Sequence, residues 1–146
     1  SIKSTSRLGA GTRFAYGGIG VLIHAQSTTG KCCMLGVGVS LASAASLGNY
    51  VYTSPGARLT KRIHVGNFSI IGANAVVNKN VEPFSIVAGV PAKVIGKINP
   101  NNLDKYLESY FAATNKTDKN FVEKVRQEFL EEYQAYTQKT AESSIE

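Results

Sequence analysis

A six-residue period constrains this chain more than any other feature. From Ile23 onward, ten hexapeptides follow without a gap: IHAQST, TGKCCM, LGVGVS, LASAAS, LGNYVY, TSPGAR, LTKRIH, VGNFSI, IGANAV and VNKNVE. Their first positions are Ile23, Thr29, Leu35, Leu41, Leu47, Thr53, Leu59, Val65, Ile71 and Val77, eight of the ten aliphatic. The second position is Gly in five of them, and the fifth is always compact or β-branched, from Ser27 and Cys33 to Ala75 and Val81. An aliphatic residue every six positions, with a small one four later, suits short strands joined by tight corners. Three such strands close a triangular coil, so residues about 18 apart stack at the strand spacing of ~4.8 Å. Each coil then hydrogen-bonds its neighbours and shares one core with them. A Gly at the second position relieves steric limits where the chain leaves a corner. A helix would need a period of 3.6, and an antiparallel sandwich a period of two with turns every ~8–12 residues.

The expected fold is mainly β: a left-handed parallel β-helix over residues 1–98, followed by a C-terminal α-helical hairpin over residues 99–146. Upstream of Ile23 the phase slips, since Leu8-Gly9 and Phe14 share a register that Ile23 does not continue. The slip falls in Tyr16-Gly17-Gly18-Ile19-Gly20, which is expected to bulge from the coil. Beyond Asn99-Pro100, Leu103, Tyr106, Leu107, Tyr110 and Phe111 follow at helical spacing. A second helix is expected from Asp118, with Phe121, Val122, Val125, Phe129, Tyr133 and Tyr136 on or near one face. The break lies at Asn115-Lys116-Thr117-Asp118, and residues 141–146 should fray. The hairpin is expected to cover the end of the solenoid or a neighbouring subunit.

Charge divides at the same boundary. Residues 1–98 carry ten Lys or Arg and one acid, Glu82, a net of about +9, whereas residues 99–146 carry six Lys or Arg and nine acids, about −3. A basic body favours anionic partners. Nucleic acid is one such partner, though neither an aromatic RNA-binding motif nor a base-reading helix accompanies the charge, and a phosphorylated cofactor fits equally well. The 43% hydrophobic content supports a real core. The sequence has no apolar run of ~20 residues and no signal-peptide pattern, which points to a cytoplasmic protein. Ser1 in place of Met suggests a trimmed N-terminus. The adjacent Cys32 and Cys33 match neither a disulfide framework nor a metal site and read as reduced thiols.

The segment from Ile71 to Ile95, IGANAVVNKNVEPFSIVAGVPAKVI, resembles the end of the hexapeptide-repeat acetyltransferases, a family that includes serine, galactoside, maltose and polysaccharide O-acetyltransferases. Hexapeptides alone would also suit nucleotidyltransferases or γ-class carbonic anhydrases. The Ala88-Gly89-Val90-Pro91-Ala92-Lys93 motif is far more specific to the CoA-dependent transferases, and the resemblance covers roughly residues 8–98. It implies a homotrimer with active sites between subunits, acetyl-CoA as acyl donor, and a hydroxyl of a sugar or serine-like molecule as acceptor. Matching positions are Ala73 and Pro55 along the pantetheine arm, with Asn78, Lys79 and Lys93 near the phosphates.

The resemblance also implies a histidine base. Of the two histidines, His24 follows the glycine-rich bulge as in small transferases of polysaccharide gene clusters, and is the expected base; His64 is the alternative. The chain departs from its relatives here. Serine acetyltransferases would place their histidine near Gly17, and the galactoside and maltose enzymes carry theirs on a loop around residues 41–47, which runs straight through here. The carboxylate that orients the imidazole would have to come from Glu82, the helical tail or a neighbouring subunit. N-acetylation of an amino sugar stays open as a variant, and a non-catalytic scaffold is the competing reading. Carbonic anhydrase chemistry would need three histidines on zinc, and this chain has two.

Overall fold

The computed structural model describes residues 1–111 and 118–145. The ten first-position residues of the repeats are all buried, and they line the axis of a solenoid with three parallel faces. The first face stacks Leu22–Ile23, Ser40–Leu41, Arg58–Leu59 and Val76–Val77. The second stacks Arg7–Leu8, Thr28–Thr29, Ser46–Leu47 and His64–Val65. The third runs from Arg13–Phe14 through Met34–Leu35, Tyr52–Thr53 and Ile70–Ile71 to a terminal antiparallel pair, Ser85–Ala88 with Lys93–Lys97. The architecture is a left-handed β-helix of about 4 turns with a long C-terminal helix. Polar residues at inward positions are satisfied within it: the Ser27 hydroxyl donates to the Ala42 carbonyl and the Thr53 hydroxyl to that of Met34.

The corners hold a conformation that the six-residue period does not reveal. The residue in the left-handed region is the fourth of each repeat: Gln26, Cys32, Gly38, Ala44, Tyr50, Gly56, Arg62, Phe68 and Asn74 all have positive φ. Most are not glycine, and the strain is offset because each inter-coil rung continues through the corner, as when Tyr50 N donates to Lys31 O and Phe68 N to Asn49 O. The second-position glycines relieve steric limits, as the sequence suggests. At Gly36 a Cβ would lie 2.6 Å from Pro55 N, and at Gly66 2.4 Å from Pro83 N. They let one coil settle on the next.

Two departures from the period shape the surface. Before Ile23 the register offset between coils is 21, as in Phe14↔Leu35, and afterwards it is 18, as in Ile23↔Leu41. The three extra residues form the expected bulge, a 3₁₀ turn at Ala15–Gly18 with Tyr16 84% exposed. After Val77 the offset falls to 16, with Val65 bridging Val81 and Ile70 pairing Ile86. Val81 is therefore not the fifth residue of a tenth full repeat but the first residue of the next side. The corner at Asn78–Asn80 is two residues short, and the Asn80 side chain fills the gap by accepting from His64 N at 2.9 Å.

The C-terminal helices cover a side of the solenoid rather than its end. They are α1 (Leu103–Phe111) and α2 (Lys119–Ile145). An Asx turn at Asn99, whose side chain accepts from the backbone N–H groups of Asn101 and Asn102, precedes α1, and Asp118 caps α2 by accepting from Asn120 N and Phe121 N. Residues 141–145 stay helical where fraying was expected. The Phe111 side chain and the break expected at 115–117 fall outside the described residues.

What α2 covers is a ladder of fourth-position corner residues. Tyr50 stacks on Phe68 at 4.8 Å and Phe68 on Phe84 at 5.9 Å between ring centroids. Phe129 meets both Phe68 and Phe84 edge-on at 5.1 and 5.2 Å, with Val125 and Tyr133 beside it in the same cluster. From α1, Leu103 and Leu107 join them, and the Tyr110 hydroxyl donates to the Phe68 carbonyl at 2.7 Å.

The acidic helix also neutralises part of the basic body. Glu128 meets Lys31 at 3.1 Å; a contact with a neutral hydroxyl, Tyr136 donating to Glu82 at 3.0 Å, adds to the docking. Burial pushes the Glu128 carboxyl up, but the Tyr50 hydroxyl and the Lys31 ammonium outweigh it and hold the group below its usual value. A carboxyl depressed in the folded state adds stability above its unfolded pKa and loses it as pH falls through the folded one. Helix docking should therefore weaken on acidification below pH ~4. Because the Lys31 side chain is 44% exposed, the effect should stay under ~1 kcal/mol. Urea titrations of wild type and Glu128→Gln at neutral and acid pH should converge at the acid end; curves separated equally at both would show that the ion pair does not contribute.

Candidate functional site

His24, Pro55, Ala73, Asn78, Lys79 and Lys93 all border one face of the solenoid. Along one edge of the first face, His24, Ala42, Thr60 and Asn78 follow the ladder Ile23–Leu41–Leu59–Val77, with His24 N donating to Leu41 O and Thr60 N to Val77 O. His24 and Asn78 are thus three rungs apart, about 14 Å. Along the opposite edge Pro55 and Ala73 occupy the same corner position one coil apart, where Asn74 N donates to Pro55 O at 3.0 Å. Lys93 closes the end of the face, because the neighbouring Ala92 N donates to Val76 O at 2.9 Å.

The short corner after Val77 opens a cavity of about 560 Å³, walled on one side by Asn78 and Lys79 and on the other by Pro91 and Lys93. Lys97 and Glu82 complete its rim. Glu82 Oε2 lies 3.8 Å from Lys97 Nζ, and Lys97 also donates to Ser85 Oγ at 2.7 Å. Glu82, one of the three sources named for a carboxylate to orient a histidine, pairs with Lys97 here. Three lysines against one acid leave the cavity cationic, suited to phosphate. Lys97 went unnoticed in the sequence because the two-residue shortening that makes the cavity breaks the repeat; the six-residue spacing of Val81 and Val87 was the available clue.

Pro55 does not line that cavity. It sits in a separate hollow of about 390 Å³ with Phe14, Tyr16, Met34 and Tyr52. Both histidines are exposed. His64 stands on the second face, where its Nδ1 is 2.7 Å from Ser46 Oγ, a neutral partner rather than a carboxylate. The thiols lie elsewhere: Cys33 is in the solenoid core, where burial raises its pKa to about 11, and Cys32 is partly buried under the helices. Among the described residues no group of three His, Cys, Asp or Glu side chains could hold a metal, and no helix is long and apolar enough to cross a membrane.

No family model matches the chain. The serine acetyltransferase of Mycobacterium tuberculosis is 45% identical over 56 residues, covering 38% of this chain and 24% of that enzyme. The galactoside O-acetyltransferase of Escherichia coli is 34% identical over 64 residues, 44% of this chain and 29% of that enzyme. Among solved structures, the serine acetyltransferase of Brucella abortus in complex with coenzyme A superposes with a TM-score of 0.61 at 27% identity, over 65% of this chain and 41% of that one. The matches to the two curated relatives thus span only 24% and 29% of their length. In its repeat sequence and in its fold, the chain is similar to serine acetyltransferase and to other hexapeptide-repeat acetyltransferases.

Proposed function

We propose that the protein is an acetyl-CoA-dependent O-acetyltransferase, a cytoplasmic homotrimer that acetylates a hydroxyl of a saccharide or serine-like acceptor with His24 as general base. The observation that carries this reading is the alignment of a cationic cavity and an exposed imidazole along one edge of one face. Lys79 and Lys93 would hold the phosphates of the donor, with Asn78 beside them. The ladder from Asn78 to His24 gives an extended arm about 14 Å of track, with the backbone around Ala73 and Pro55 on the far edge. The donor supplies an activated acetyl group as a thioester. His24 would take the acceptor's hydroxyl proton as that oxygen attacks the thioester carbonyl; the carbon–sulfur bond breaks and the thiol leaves protonated. The galactoside relative and the absence of charge in the hollow around Tyr52 favour a saccharide over serine.

Calorimetry with CoA tests the foundation. Wild type should bind, Lys79→Ala and Lys93→Ala should each weaken binding about tenfold, and the loss should shrink as salt is raised. Wild type that takes up no CoA would overturn the transferase reading.

A further inference from the structure

The hollow at the bulge meets the proposed chemistry only at Pro55, and its other lining residues have no part in it. Tyr16 stands at its mouth with φ of 50°, in the left-handed region, between Ala15 and Gly17. A bulky residue held in that conformation and 84% exposed gains nothing from packing. Across from it lie Tyr52 and Met34, outward residues of adjacent rungs on the third face, and Pro55 and Val37, which share a corner ladder one coil apart. The volume, about 390 Å³, is that of a small-ligand site. None of its lining residues is charged, whereas the cavity at the other end of the solenoid is ringed by lysines. Two tyrosines and a proline offer flat apolar faces, and the tyrosines carry phenolic hydroxyls, a combination that matches a ring with C–H faces and an equatorial girdle of hydroxyls.

We propose that this hollow is a subsite for a neutral pyranose ring of the acceptor, stacked against Tyr52 and covered by Tyr16. The proposal rests on the saccharide reading above and adds to it. The subsite lies across the first face from His24, so it holds a sugar ring other than the one being acetylated and touches no reacting atom. Its contribution is to acceptor affinity.

The test is saturation-transfer NMR with glucose, galactose, N-acetylglucosamine and maltose, alongside CoA calorimetry on the same samples. Wild type should show transfer to at least one sugar, Tyr16→Ala and Tyr52→Ala should lower its affinity by tenfold or more, and Tyr52→Phe should retain most of it. CoA affinity should stay within twofold in all three variants. Tyr16 is so exposed that its removal will not unfold the chain, which keeps the proposal falsifiable should Tyr52→Ala prove unstable. Three outcomes overturn it: no sugar bound by wild type, Tyr16→Ala unchanged, or variants that lose CoA rather than sugar, which would assign the hollow to the donor's arm. A wild type that binds sugar but not CoA would sink the transferase reading and leave the subsite standing.

Discussion

Replacing Phe129 with alanine should destabilise the protein by about 3–5 kcal/mol, the range for emptying a large aromatic site in a packed core. The side chain is fully buried and touches Phe68, Phe84 and Tyr133. Those rings are already ordered by the coils, so the site cannot collapse around the void without moving stacked backbone. The loss should appear first as undocking of α2, because the coils hold one another through their own rungs and through a separate core. Urea unfolding followed by helical and β circular dichroism should therefore split into two transitions in the variant, with the helical one earlier. A single transition displaced by less than 1 kcal/mol would show that the aromatic ladder does not hold the helix.

His24→Ala carries the largest expected effect on activity, a fall of about 10²–10⁴ in turnover, which is what a positioned base contributes. Because His24 lies three rungs from Asn78, CoA affinity should be untouched, separating chemistry from binding. His64 is the control. Its backbone N–H is tied to Asn80 at the edge of the cationic cavity, and its ring bonds Ser46 on a different face. His64→Ala should retain turnover within about twofold, since it lacks a position on the donor's track. A thiol-release assay with both variants decides between them: loss in His64→Ala with full turnover in His24→Ala would move the base to the second face.

The hexapeptide phase was legible from Ile23 to Val77 because each first-position residue meets its own kind one coil away, so the local period is itself the tertiary contact. The glycine-rich bulge was legible for the same reason, as a break in that period. The steric role of the second-position glycines was legible, whereas the left-handed bend at the fourth position was not. Sequence shows which positions are glycine, but not that the fourth position bends the chain. Lys79 and Lys93 could be named from the motif that carries them. Their shared cavity could not, since it is made by a shortened corner and an antiparallel strand that turns back over it.

The sequence by itself determined the three-sided solenoid, its inward residues and the division between a basic body and an acidic tail, because repetition every six residues and net charge are properties of the linear chain. The tertiary structure alone decided that Tyr50, Phe68 and Phe84 form a ladder beneath α2, that His24 and the lysine cavity share an edge, and that Tyr16 and Tyr52 enclose a hollow of their own. Each of these depends on how far the chain turns at corners whose length departs from the repeat, and on which side of the solenoid the distant helix comes to rest.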